Sequence, residues 1–200
     1  MAPTSTPSGN EIKLRKLVLY ISTMCEMDDS FGATKLNKIL FNADFAAYSL
    51  WGKPITGVSY FALENGPAPR PMKKLLRLMQ DSGEIVIREK EYYGFPQHRI
   101  FPLQSVDVKQ YFSVDEISLV FRKIQEYWGR SGTSMSNESH EFLGWSAAAL
   151  KETIPYSVAL IGTRGPTKDE IRRGLELQSM AEECLRRNAS DKMPPDHRGA

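Results

Sequence analysis

The run Thr34–Trp51, TKLNKILFNADFAAYSLW, restricts this chain more than any other segment. At about 100° per residue, Leu36, Ile39, Leu40, Ala43, Ala47 and Leu50 share one face of a helix. Phe41, Phe45 and Tyr48 make a second, aromatic face. That leaves Lys35, Lys38, Asn42 and Ser49 as the wet arc. A helix apolar over most of its circumference belongs in the middle of its domain. Thr34 suits its N-cap, and Gly52 with Pro54 ends it.

Asn37 and Asp44 fall between the two apolar faces and are expected half-buried. A carboxylate there must be hydrogen-bonded or paired, because an unpaired buried charge costs several kcal/mol. As a structural group, Asp44 would hold a loop backbone or a basic side chain. As a functional group, it would be a carboxylate with a shifted pKa.

The rest of the chain supplies the surroundings. Residues 1–9 are Pro/Ser/Thr-rich and read as a disordered leader. Glu11–Met27, capped by Asn10, reads as a helix with Ile12, Leu14, Leu17, Val18, Ile21, Met24 and Cys25 on its apolar face. Asp28–Gly32 turns into the central helix. Gly57–Leu63 alternates as a strand, covered on both faces. Glu64–Pro71 is a proline-rich loop, and Pro71 opens a helix to about Asp81. Glu84–Glu91 and Gln97–Leu103 pair as a hairpin with a five-residue aromatic tip, Tyr92–Pro96, too short to bury its own rings. Ser113–Glu116 is a capping box opening a helix to about Trp128, with Ile117, Val120, Phe121, Ile124 and Trp128 inward. A polar Gly/Ser connector precedes a helix over 137–153. The apolar stretch Ile154–Gly162 fits strand or helix, and a second capping box at Thr167 opens a helix to about Arg187. The predicted fold class is α+β: one domain over 10–187, mostly helical around the buried central helix, with a small antiparallel sheet and hairpin. The helix after Thr167 is a C-terminal extension, and 188–200 reads as a disordered tail.

Bulk properties exclude several functions. A 200-residue chain with 41% hydrophobic and 25% charged residues is ordinary for a globular protein. A net charge of +2 is too small for a strong nucleic-acid footprint. No apolar run reaches the roughly 20 residues of a membrane span, and the N-terminus lacks the order of a signal peptide. Two distant cysteines, Cys25 and Cys184, suggest neither a disulfide framework nor a zinc site. A cytoplasmic protein with no metal and no cofactor is expected.

Catalytic chemistry finds little material. The three histidines are His98 in a hairpin strand, His140 beside Ser139 and Glu141, and His197 in the tail. Neighbours on a helix point about 100° apart, so the residues around His140 cannot form a triad among themselves. His140 reads as a structural group bonded to a loop. No HExxH, CxxC, P-loop or GxGxxG motif is present. The loop Gly162–Pro166 before the Thr167 cap could hold an anion, or be a plain loop.

Nucleic-acid binding is a rival reading. Three helices then a hairpin is the order of a winged helix. The Pro71–Asp81 helix would present Arg70, Lys73, Lys74 and Arg77, and Arg88, Lys90 and Arg99 would lie on the wing. Such residues suit phosphates. The helix offers few base-reading side chains beyond Gln80, and Lys73, Lys74 and Arg77 also fit an ordinary solvated face.

The segment KLNKILFNADFAAYSLWGKPITG, followed by Tyr60 and Asn65-Gly66-Pro67, resembles the opening of the Panacea domain, or SocA-like antitoxin domain. The matching residues are Lys35, Leu36, Lys38, Ile39, Leu40, Phe41, Ala43, Gly52, Pro54, Gly66 and Pro67. Ser139-His140 resembles a later segment of the family, and the resemblance spans about residues 12–150. It implies a non-enzymatic antitoxin that binds and neutralises a cognate toxin. Some members of the family deliver the toxin to a protease, and an antitoxin that also binds operator DNA would satisfy the rival reading too. Aromatic residues and arginine dominate interface hot spots. The expected partner-binding residues are therefore Arg70 in the Gly-Pro loop and Tyr92, Tyr93 and Phe95 at the hairpin tip.

Overall fold

Four α-helices and five short strands make up the part of the chain that a computed structural model describes: residues 9–131 and 148–161, with five helical positions between 172 and 180. The leader, His140, the Gly162–Pro166 loop, the Thr167 capping box and the tail lie outside the described residues. The chain divides into two compact units, Met1–Ile161 and Gly162–Ala200. In the second, Arg172 and Glu176 are helical and 3.9 Å apart, one turn from each other.

In the first unit, α1 (Gly9–Met24) and α2 (Ala33–Trp51) are joined by the Asp28–Gly32 turn. Strands β1 (Tyr60–Leu63) and β2 (Gly66–Pro69) follow, then α3 (Met72–Asp81). The hairpin β3 (Ile85–Tyr92) and β4 (Phe95–Pro102) leads to α4 (Val114–Tyr127), and β5 (Thr153–Ile154) closes the described part with a 3-10 turn at Tyr156–Leu160. The sheets are antiparallel: β2-β1-β5, and β3-β4 alone. This is the expected α+β architecture.

Helix α2 is central, packing against α4, β2, the Tyr156–Leu160 turn, α1 and β4. Its aromatic face builds a cluster: Phe41 and Phe45 lie 4.1 Å apart, Phe45 reaches Tyr156 at 4.8 Å, and Phe41 meets Tyr60 edge-on at 5.4 Å. Its wet arc is narrower than the wheel suggests. Lys35 and Lys38 are only 1% exposed, while Leu50, placed on the core face by spacing, is 61% exposed. The turn before the helix folds back over Lys35, and Leu50 sits at a surface pocket shared with Leu119, Arg122, Lys123 and Glu126 of the helix over Val114–Tyr127. The N-cap also lies two residues earlier than expected, at Gly32 rather than Thr34, with no side-chain cap.

Two segments differ from their sequence reading for the same reason. Gly66–Pro69, read as loop, is a buried strand on the edge of its sheet. Arg70 N donates to Ser59 O, which sets the phase of the ladder and places Pro67 and Pro69 where their nitrogens point away from β1. The hairpin tip is a two-residue turn, Tyr93-Gly94, rather than a five-residue loop. Both residues have positive φ, 50° and 80°, the backbone of a type I′ turn. Here too a bond, Leu103 N to Glu84 O, fixes the phase and sends the nitrogens of Pro96 and Pro102 outward from the ladder.

Helix α4 keeps its capping box, with Ser113 Oγ accepting from Glu116 N and Ser113 N donating to Glu116 Oε2. Its inward face is Leu119, Val120, Ile124 and Tyr127; Phe121 and Trp128, expected inside, are exposed. Asn10 does not cap α1. Its side chain donates to Gly57 O across the fold.

Candidate functional site

Two buried polar groups hold α2, and their side chains are almost entirely removed from water. Asp44, expected half-buried, is fully enclosed. Oδ1 accepts from Thr56 N at 2.7 Å; Oδ2 accepts from the Thr56 hydroxyl, from Tyr60 OH at 2.8 Å and from Tyr156 OH at 3.5 Å. The single Tyr156 hydroxyl proton is directed at Val58 O, at 2.7 Å, so its approach to Asp44 Oδ2 is the weaker, shared one. Burial pushes the Asp44 carboxyl above its ordinary value despite those donors, and pushes both tyrosine hydroxyls up as well. These contacts tie α2 to the loop before β1 and to Tyr156.

The second group escaped the sequence reading. Lys35 Nζ donates to Asp28 Oδ2 at 2.6 Å, to Tyr127 O at 3.0 Å and to Ser30 Oγ. Asp28 Oδ1 accepts from Ser30 N and Ser30 Oγ. Burial raises the Asp28 carboxyl, but its bonds with Lys35 and Ser30 outweigh that and hold it below the ordinary range. Burial likewise pulls the Lys35 ammonium down against the pull of Asp28. The signal was faint: an Asp-x-Ser turn seven residues before a lysine. Cys25 lies beside this pair, and burial, reinforced by the Asp28 charge, pushes its thiol up to about 12. Such a thiol is protonated at neutral pH and a poor nucleophile.

The exposed chemistry is at the hairpin. Tyr93 is 86% exposed and Phe95 71%, with Tyr92 half-buried and its ring 4.7 Å from that of Tyr93. These side chains, with Pro96, Gln97 and His98, form one wall of a cleft of about 410 Å³. The other wall is Ser30 and Gly32–Lys35 at the start of α2. Gly32 lets the walls approach: a Cβ there would stand 2.8 Å from Gln97 Cγ and 3.3 Å from His98 O. The residues expected to bind a partner at the tip are therefore brought together on one rim.

Arg70 is elsewhere in contact terms. It is exposed, but its guanidinium donates to Thr153 Oγ1 at 2.6 Å and lies 5.4 Å from the centre of the Phe61 ring, stapling β1 to β5. Lys73, Lys74 and Arg77 line the exposed side of α3. Of the wing residues, Arg88 and Lys90 are exposed, but Arg99 is buried, donating to Glu26 O and Asp29 O beyond the end of α1. Arg99 is thus a helix-end anchor rather than a phosphate contact, because the α1–α2 turn covers it. Among the described residues no cluster could hold a metal ion, and no helix is long and apolar enough to cross a membrane.

No curated protein and no solved structure matches the chain significantly. The family model for the antitoxin SocA-like, Panacea domain matches residues 36–146, beginning inside α2 and running through β1–β4 and α4. That range contains most of the buried helix, its Asp44 anchor and the aromatic hairpin, and it is more than half of the chain. The chain belongs to the SocA-like antitoxin family, defined by its Panacea domain.

Proposed function

We propose that this protein is a cytoplasmic, non-enzymatic antitoxin that binds a cognate toxin and neutralises it by direct contact. Membership of the antitoxin family carries the reading. The hairpin supports it physically: two large rings are held in water on a tight turn, where burial against a partner removes apolar area from solvent. The test is co-expression with the product of a neighbouring reading frame. Growth arrest by that product alone, rescue by this chain and co-purification of the two are expected. Rescue without a complex would overturn direct neutralisation, and no arrest by any neighbour would overturn the pairing.

Delivery of the toxin to a protease is a second form of the same binding, distinguished by loss of toxin over time rather than its accumulation in a complex. Operator binding draws on the exposed Lys73, Lys74 and Arg77. It requires retention on duplex DNA that falls steeply with salt and weakens when those charges are removed.

A further inference from the structure

The strand edges of the first unit are not equivalent. On β2, the outward-pointing positions are Pro67 and Pro69, so that edge offers no donor. Strand β5 is two residues long. On β4, outward positions include Pro96 and Pro102, and the strand packs against α1 and α2. Strand β3 packs against α3, but it is eight residues long and carries no proline. The pairing phase that bonds Arg88 to Arg99 and Lys90 to Gln97 turns the N–H and C=O groups of Ile87, Glu89 and Glu91 away from β4. No described residue takes them, and Arg88–Glu91 are all exposed. The result is an open edge of about five residues, on the order of 16 Å at 3.3 Å per residue.

The side chains along this edge alternate in charge. Arg88 and Lys90 lie on one face, Glu89 and Glu91 on the other. A second copy of the chain pairing antiparallel through the same outward groups would always set Arg or Lys against Arg or Lys, or against an uncharged neighbour, and Glu against Glu or Ile. Like charges directly opposite are destabilising, so the pattern disfavours self-association. On its own hairpin, Arg88 already faces Arg99. Arg99 has Asp29 Oδ1 at 3.6 Å, whereas no described carboxylate pairs with Arg88, so an acidic group on the open side would give Arg88 its partner. Lys90 has only a 3.8 Å approach to the exposed Asp29.

We propose that β3 docks an extended segment of a partner protein by strand addition, the segment carrying acidic side chains opposite Arg88 and Lys90 and basic side chains opposite Glu89 and Glu91. Main-chain bonds supply the attachment, and the alternating charges supply register and choice of partner. The inference rests on the toxin-binding reading only for who the partner is. Its mode of docking is measured without any toxin, so the two fail separately.

The probe is a capped heptapeptide, threonine-lysine-glutamate-lysine-glutamate-valine-valine, which complements residues 92 to 86 in antiparallel order. Titrated into the labelled full chain, it should give saturable amide shifts and slowed hydrogen exchange at Ile87, Glu89 and Glu91. The charge-exchanged peptide should bind at least about tenfold more weakly, the scale of two or three cross-strand charge pairs. Glu89→Pro removes one outward donor at a position that does not bond to β4, as Pro96 does on the other strand, and should abolish the shifts. Glu89→Lys with Glu91→Lys leaves the backbone intact and should weaken the original peptide by a similar factor, which keeps the test decisive if the proline variant does not fold. Absence of saturable shifts at millimolar peptide, equal binding of both peptides, full binding by either variant, or a dimer paired through β3 would overturn the proposal.

Discussion

Lys35 Nζ stands 2.6 Å from Asp28 Oδ2, with both side chains removed from water and the Tyr127 carbonyl completing the site. The pair joins the start of α2 to the end of α4 through the α1–α2 turn. Lys35→Met is expected to lower the unfolding free energy by about 3–5 kcal/mol, since it strands a buried carboxylate. Combining it with Asp28→Asn should recover part of that loss. Urea unfolding of the two single variants and the double variant checks this, and strict additivity would mean the pair is not coupled.

Asp44 holds Thr56 and Tyr60 by three hydrogen bonds. Asp44→Ala leaves those buried donors without an acceptor and should cost roughly 1–3 kcal/mol, at the upper end of that range. Denaturant unfolding measures it. A fully stable variant that no longer neutralises its partner would assign the carboxylate to binding instead.

The two carboxylates predict opposite pH behaviour. Asp44 has a raised pKa in the fold, so the native state takes up its proton before the unfolded chain does. Its contribution grows as pH falls from neutrality through the folded pKa toward 3.8 and is lost as pH rises again. Asp28 has a lowered pKa, so its contribution is present above 3.8 and lost as pH falls through the folded value. Stability against pH for wild type, Asp44→Asn and Asp28→Asn should therefore diverge in opposite senses. Parallel curves would remove the linkage.

Tyr93 occupies a left-handed backbone position, φ 50°, that suits asparagine or glycine in a type I′ turn. Tyr93→Asn is expected to stabilise the protein by about 0.5–1 kcal/mol while weakening partner binding. Phe95→Ala should weaken binding by about 2 kcal/mol, near 30-fold, with thermal stability almost unchanged, because the ring is in water before binding. Calorimetric titration against the toxin with parallel thermal melts separates the two effects. Unaltered affinity in both variants would take the tip out of the interface.

Gly32 has an extended backbone, so its smallness serves packing rather than conformation. Gly32→Ala places a Cβ against Gln97 and the His98 carbonyl. A loss of about 1–3 kcal/mol is expected, with amide shifts concentrated in β4 and the cleft. Shifts confined to α2 would show that the hairpin does not rest there.

What could be read from the chain in one dimension was whatever depends on near neighbours. The α2 period, the Ser113 capping box, the hairpin strands and the exposed Lys73, Lys74 and Arg77 of α3 follow from spacing and local chemistry, and the structure has them. The exposure of Tyr93 and Phe95 was legible too, although the tip is a two-residue turn and Tyr92 is half-buried. What the sequence left open involves partners far apart in the chain: Lys35 with Tyr127, and Asp44 with Tyr156. A helical wheel assigns the charged arc to water; only the folded turn and α4 put Lys35 out of reach of it. Likewise Pro67, Pro69 and Pro96 read as loop residues until the ladders show that each nitrogen points outward, as that of Pro102 does. That is why β3 is left as the open edge: hydrogen-bond phase belongs to a pair of strands and cannot be assigned to either one alone.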